Sequence, residues 1–225
     1  MENVSILLQI SFIIITLISV YVFYLATNKS KTTLVIISSW MLIQLLIGLT
    51  DFYTKNTTMP PRFILMVAPP LFLQIIIFMT NRGRNFVENL NIKLLTGVHI
   101  LRIFVEIVLY YLFVAKAIPE IMTFEGRNYD ILVGLSAGFV LYFGLIHQYL
   151  SAKFIILWNI ISLGLLFNII FYGVASAQTP FQLFGFEQPN IALAYFPFNW
   201  LPSIVVPIMM FSHFAVLYKF YKNKV

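Results

Sequence analysis

Seven long apolar stretches follow one another along the chain, separated by short segments that carry most of the charges. Each stretch has 18 to 23 residues, and only the fourth contains charged side chains. A helix needs about 20 predominantly apolar residues to cross a hydrocarbon core about 30 Å thick. The pattern therefore predicts an all-α membrane protein, a bundle of seven transmembrane helices over residues 4–26, 32–50, 63–80, 94–115, 131–150, 154–174 and 196–218.

The composition leaves no room for a soluble domain beside these helices. Of the 225 residues, 60% are apolar and 10% are charged, whereas a soluble domain has about 45–50% apolar and about 25% charged residues. We therefore expect residues 1–225 to form a single seven-helix transmembrane domain. The first stretch lacks a basic start and a small-residue cleavage site, so we expect it to remain as helix 1. The absence of cysteine excludes disulfides and thiolate chemistry.

The basic residues predict the orientation of this bundle. Nine would lie on the side of the C-terminus and four on the opposite side, and cytoplasmic loops carry the excess of Lys and Arg. The C-terminus is therefore expected in the cytoplasm and the N-terminus outside. The net charge of +6 is thus an orientation signal, and no nucleic-acid partner is expected. The nine are Lys29, Lys31, Arg82, Arg84, Lys93, Lys153, Lys219, Lys222 and Lys224, and the four are Lys55, Arg62, Lys116 and Arg127.

The fourth stretch carries a single polar stripe. At about 100° per residue, His99, Arg102, Glu106 and Tyr110 fall on one narrow face of a helix. Ionisable residues in a membrane face the bundle interior and mark functional sites by default. Arg102 and Glu106 have the spacing of a direct ion pair. The stripe predicts a charged centre for a substrate, proton or ion, and the alternative is an ion pair that locks the helix to its neighbours.

Other polar side chains are expected close to this stripe. Gln74 in helix 3 and Asn159 in helix 6 lie at a similar depth and are assigned to the same polar centre. The three histidines, His99, His147 and His213, are all predicted in the cytoplasmic third of the bundle. Three imidazoles can bind a metal or serve as haem ligands. The alternative is that they are packing residues with hydrogen bonds, and otherwise no cofactor is expected.

The segment between helices 4 and 5 reads IPEIMTFEGRNYDI and contains four charged residues, Glu120, Glu125, Arg127 and Asp130. One hypothesis is an ordered lid over the outer mouth of the bundle, and the favoured one is a solvated loop that pairs with itself. Asn128 or Asp130 is a candidate cap for helix 5. Prolines inside helices 3 and 7 free backbone carbonyls, which neighbours or a ligand can bind.

This segment also carries a resemblance. MTFEGRNYDI, with helix 4 before it and QPNIALAYFPFNWLPSIVVP after it, resembles a group of small seven-span bacterial membrane proteins of uncharacterised function. The resemblance covers most of residues 94–218. It implies a bacterial inner-membrane setting and implies no activity.

Three functions are compatible with these features. The first is binding or transport of a small solute, proton or ion through the polar centre on helix 4. The alternative is a non-catalytic seven-helix subunit or sensor that acts through partners. The third is an intramembrane metal or haem enzyme that uses the histidines. An enzyme is least favoured, because no recognised catalytic spacing is present. The lipid bilayer and a small solute or ion are the expected partners, and the sequence does not indicate an oligomeric state.

The orientation is testable with reporter fusions. A fluorescent reporter that folds only in the cytoplasm should be active at the C-terminus and inactive when fused after Lys55, because the two points lie on opposite faces. An alkaline phosphatase, active only outside, should give the reverse pattern. Phosphatase activity at the C-terminus would overturn the predicted topology.

Overall fold

The computed structural model describes residues 3–55 and 59–223, which form helices joined by short connections. Among these residues there is no β-strand, only an isolated bridge between Ala177 and Asn190. Lys224, one of the basic residues counted above, lies outside the described residues, as do residues 1–2, 56–58 and 225. The predicted all-α class is confirmed for the described part of the chain.

Apolar helices occupy each of the seven predicted stretches. In the first half of the chain they are α1 (Ile6–Ala26), α2 (Lys31–Gly48), α3 (Ile64–Met79), and α5 (Ile92–Gly97), which passes through a 3₁₀ turn at Val98–Leu101 into α6 (Arg102–Val114). In the second half they are α7 (Asp130–Phe139) with a π-helical continuation at Val140–Ile146, α8 (Ala152–Ala175), and a π-helical segment at Leu201–Val205 that leads into α9 (Val206–Asn223).

Length and apolarity separate these helices into three groups. Within the described residues, five are long and apolar enough to cross a membrane. A sixth candidate is α3 together with the short helix α4 (Asn81–Glu88), and the two are bent by 91° at the break between them. The helix over Asp130–Ile146 is apolar but shorter.

Several helix boundaries differ from the sequence prediction, among them the end of the fifth stretch, at Ile146 instead of residue 150, and the end of the last, at Asn223 instead of residue 218. The polar α4 was expected to be part of a loop, and it forms because Thr80 caps it by accepting from the backbone N–H of Gly83. The last helix begins at Leu201 instead of residue 196. Pro197 disfavours helical geometry at Phe196, so residue 196 does not begin the helix.

Polar side chains also mark the starts of four further helices. Each accepts a hydrogen bond from a backbone N–H of the first turn, which satisfies donors that have no partner within the helix. These capping residues are Ser5 for α1, Ser30 for α2, Asn91 for α5 and Ser151 for α8.

The π-helical segment Leu201–Val205 and α9 together form the central helix of the bundle. Of its most apolar stretch 72% is buried, against 17–44% for the other four long helices. It packs against α1, α3, α5 and α8, while α6 lies between α1 and α7. A helix that is apolar all round is suited to such a central position.

Proline in the central helix leaves a carbonyl without its helical partner, and a neighbour supplies one. Pro207 has no N–H, so in α-helical geometry the carbonyl of Ser203 loses its usual donor. The indole Nε1 of Trp40 on α2 lies 3.1 Å from that carbonyl oxygen and donates to it. The hydrogen bond thereby fastens the peripheral helix α2 to the core.

Removing this donor should destabilise the protein in a way that depends on Pro207. Trp40→Phe removes the indole donor from the carbonyl of the buried Ser203 and should cost about 1–3 kcal/mol. In a Pro207→Ala background the new backbone N–H can satisfy that carbonyl, so the cost of Trp40→Phe should shrink. Thermal unfolding of the four proteins in detergent checks this. An equal loss in both backgrounds would show that the indole does not compensate for the proline.

Candidate functional site

Polar side chains of the α5–α6 helix converge near its middle. His99, Arg102 and Glu106 are at most 3% exposed. His99 lies in the 3₁₀ turn, where residues three apart lie one above the other, so it shares a face with Arg102. One helical turn further, Glu106 continues that face. Tyr110 is half-buried and stacks on Phe124 with ring centroids 5.2 Å apart, outside this cluster.

The buried guanidinium has an ion-pair partner on another helix. Nη2 of Arg102 lies 2.9 Å from Oδ2 of Asp130, at the start of α7, and both side chains are nearly inaccessible. The predicted pair between Arg102 and Glu106 is therefore wrong, because no ion pair joins them within the described residues. The tertiary fold offers Arg102 a carboxylate from α7 at closer range than the one on its own helix.

A glycine allows α7 to come this close to α6. A Cβ at Gly134 would stand 2.8 Å from the backbone nitrogen of Ile103 and 3.4 Å from the Cβ of Arg102. Only a residue without a side chain fits at such an approach. Gly134 thus allows Asp130, one turn earlier on the same helix, to reach the guanidinium.

The second carboxyl group of the cluster is held by an amide. Nδ2 of Asn128 donates to Oε2 of Glu106 at 2.6 Å and also to the carbonyl of Met122 at 3.1 Å. Oδ1 of Asn128 accepts from the backbone N–H of Asp130, the first residue of α7, at 3.1 Å. Asn128 therefore links Glu106 to the start of the helix that carries Asp130.

On the other side of Arg102 the network continues through a histidine. Nδ2 of Asn159 donates to the carbonyl of Ile155 at 2.9 Å, which leaves its Oδ1 to accept from Nδ1 of His213 at 2.9 Å. Nε2 of His213 is then an acceptor, and Nη1 of Arg102 lies 3.5 Å from it. The contacts therefore join α6, α7, α8 and α9 at one buried point.

The second buried histidine stacks on the first. The rings of His99 and His213 are nearly parallel, with centroids 3.9 Å apart, and Trp158 lies against both. Within the described residues neither ring nitrogen of His99 has a hydrogen-bond partner. Two imidazolium ions stacked beside a guanidinium would repel one another, so this geometry suits neutral rings.

The structure does not bring the three predicted metal ligands together. His147 is exposed at the end of the π-helical segment, where its ring packs against Tyr142 and Tyr149. In residues 3–55 and 59–223, no group of three His, Asp or Glu side chains is placed to hold a metal ion. The expected site of His99, His147 and His213 is thus corrected to a stacked pair and a separate surface residue.

Gln74 also lies apart from the cluster. Its Nε2 donates to the carbonyl of Pro207 at 2.9 Å and so fastens α3 to α9. Of the residues assigned from sequence to one polar centre, the structure joins His99, Arg102, Glu106 and Asn159, and places Gln74 and Tyr110 elsewhere.

The segment between α6 and α7 is not the solvated loop that was favoured from sequence. Its charged side chains Glu120, Glu125 and Arg127 are outside the core. Ile118, Met122, Thr123 and Asn128 are at most 2% exposed. The segment therefore folds inward and contacts the cluster through Asn128, while a lid over an outer mouth stays a prediction.

Sequence reasoning missed Asn128 and Asp130 as members of this site. Both had been considered only as caps, because they lie at the border of a charged segment. The available signal was their position next to the start of a helix rich in Gly and Ala, which allows a close approach to a neighbour.

One family model matches the part of the chain that contains these residues. Residues 59–221 match the family model described as "Domain of unknown function (DUF8737)". The chain belongs to the DUF8737 family. The matched region contains all the side chains of the buried network, which are Arg102, Glu106, Asn128, Asp130, Asn159 and His213. It does not include α1 and α2. Neither the curated proteins nor the solved structures include a significant match to this chain.

The ion pair at the centre of this DUF8737 protein can be tested by paired substitutions. Asp130→Leu strands the charge of Arg102, and breaking a buried pair in this way costs about 3–5 kcal/mol. The double variant Arg102→Met/Asp130→Leu removes both charges and should recover most of the lost stability. Thermal unfolding and the yield of monodisperse protein are the measurements.

The matched control replaces the other carboxyl group. Arg102→Met/Glu106→Gln leaves Asp130 unpaired and should stay as unstable as Arg102→Met alone. If Glu106→Gln rescues Arg102→Met as well as Asp130→Leu does, the assignment of Asp130 as the partner is wrong.

Proposed function

We propose that this protein is an integral membrane protein of the bacterial inner membrane, with seven spans, the N-terminus outside and the C-terminus in the cytoplasm. Its surface supports this placement. Large apolar side chains such as Leu7, Val35, Phe72 and Leu135 are at least 60% exposed, whereas the ionisable groups of the cluster are buried. Apolar exposure on this scale marks a surface that water does not cover.

This proposal also accounts for the short helix over Asp130–Ile146 and for the bent pair α3 and α4. The helix over Asp130–Ile146 has 17 residues and is about 25 Å long at 1.5 Å per residue, slightly less than the hydrocarbon core. The inward-folded segment before it fills the missing depth with buried residues. The bend after α3 would turn the polar α4 along the cytoplasmic face, where Arg82 and Arg84 fit the positive-inside bias.

We further propose that the buried network binds and exchanges a proton or a small cation at Glu106. The observation that supports this proposal is the charge balance of the buried cluster. Arg102 is neutralised by Asp130, and within the described residues Glu106 is bound by an amide and by no cation. An ionised Glu106 would leave a net negative charge in an apolar bundle, which a proton or cation must offset.

The neighbouring groups supply a connection of hydrogen bonds and one ion pair around this carboxyl. Asn128 connects Glu106 to the outer segment, and Asp130, Arg102 and His213 follow in sequence towards Asn159. Arginine stays charged, and the stacked histidines suit neutral rings, so Glu106 is the group of this network that we expect to take up and release a proton. Transport of a solute coupled to this proton is the corresponding function.

Proton exchange can be measured in proteoliposomes that contain a pH-sensitive dye. Under an imposed pH gradient and with a potassium clamp, wild-type protein should dissipate the gradient faster than empty liposomes. Glu106→Gln should abolish the difference, because the amide cannot release a proton. The control Glu120→Gln removes an exposed carboxylate from the same outer segment and should behave like wild type.

An infrared measurement makes the test independent of transport rate. The carboxylic-acid C=O band of the reconstituted protein should change with pH, and that change should be missing in Glu106→Gln. Identical spectra and identical flux in wild type and Glu106→Gln would contradict a proton site at Glu106. They would leave the non-catalytic subunit as the better hypothesis.

A further inference from the structure

A cavity lies between α3, α8 and the start of the central helix, and none of the charged side chains of the ionic cluster lines it. Its volume is about 400 Å³, within the range of about 300–1,000 Å³ that small-molecule sites occupy. α3 contributes Met66 and Leu71, α8 contributes Ile170 and Gly173, and the central helix contributes Leu201 and Met210. Nearly all of its lining is hydrocarbon.

The cavity opens on the apolar exterior of the bundle. Ile64 on α3 and Phe167 on α8 line it and are themselves 38% and 48% exposed, so they flank its mouth. Leu109 and Met122 line it from the bundle side and are nearly inaccessible. A molecule that enters from the surrounding hydrocarbon therefore reaches a closed apolar end.

One polar side chain interrupts the lining. Among the described residues that line the cavity, Asn190 alone has a polar side chain, and it is 9% exposed. Its Nδ2 donates to the carbonyl of Gly173 at 3.0 Å, which fixes the amide and leaves Oδ1 as the acceptor. Oδ1 has no partner within the described residues. A buried acceptor in an apolar wall is costly unless a donor meets it.

We propose that this cavity binds the chain of a long-chain membrane alcohol, with the hydroxyl of the ligand donating to Oδ1 of Asn190. A cavity of about 400 Å³ with a lining of hydrocarbon suits one alkyl chain of medium length. Asn190 follows the end of α8, at the outer end of the bundle under the proposed orientation. The hydroxyl would thus lie towards the outer surface and the chain towards Leu109.

Photolabelling tests the site directly. Full-length protein in lipid nanodiscs is labelled with a diazirine-bearing dodecanol and, separately, with the matching diazirine-bearing dodecane that lacks the hydroxyl. Labelled peptides are mapped by mass spectrometry, and binding is compared by competition with unlabelled dodecanol or dodecane. One neutral hydrogen bond should give the alcohol about a threefold to tenfold advantage.

Two substitutions on the same helix provide a matched pair. A Cβ at Gly173 would stand 3.5 Å from Cε of Met122, an ordinary contact, so Gly173→Leu adds its bulk to the cavity. Gly164 on α8 has open space around its Cβ position, so Gly164→Leu adds the same bulk outside it. Gly173→Leu should lower labelling of the lining peptides at least tenfold, and Gly164→Leu should leave it unchanged.

Three results would overturn the proposal. Labelling spread evenly over all exposed faces, with Gly173→Leu equal to Gly164→Leu, would show that the cavity holds no chain. Equal competition by dodecanol and dodecane in the wild-type protein would show that Asn190 does not recognise a hydroxyl. An alcohol preference that persists in Asn190→Leu protein of unchanged thermal stability would contradict the assigned acceptor. None of these outcomes depends on proton exchange at Glu106.

Discussion

The arrangement of this bundle depends on the neutralisation of one buried guanidinium. Arg102 lies near the middle of the α5–α6 helix and stays charged under all relevant conditions. Its carboxylate partner, Asp130, comes from a different helix and lies 2.9 Å away. To reach this depth α7 must begin inside the bundle, and the segment before it must fold inward. Gly134 permits the close contact, and Asn128 accepts from the backbone N–H of Asp130 while it donates to Glu106.

The central helix obeys a related constraint, which is that buried polar groups need partners. Trp40 donates to the carbonyl of Ser203, which lies one helical turn before Pro207, and Gln74 donates to the carbonyl of Pro207 itself. Asn159 orients His213 on the same helix. The polar side chains of the surrounding helices thus hold the central helix in register, which apolar packing alone would specify less strictly.

Hydropathy and helical periodicity predicted a large part of this structure. Seven apolar stretches became helices because chain length and composition leave few alternatives, and His99, Arg102 and Glu106 share a face because their spacing matches the helical repeat. The partner of Arg102 could not be predicted, because it depends on how the segment around Asn128 folds. Gln74 and His147 were misplaced for a similar reason, since equal depth along different helices does not imply contact between them.

The pair between Arg102 and Asp130 can be observed directly by solid-state NMR in lipid bilayers. Protein labelled with ¹⁵N in arginine and ¹³C in aspartate side-chain carboxyls should show one strong dipolar coupling between a guanidinium nitrogen and a carboxyl carbon, at a separation of about 4 Å or less. The account predicts that this coupling disappears in Asp130→Asn protein labelled in the same way and persists in Glu106→Gln protein. A coupling absent from the wild type, or unaffected by Asp130→Asn, would contradict it.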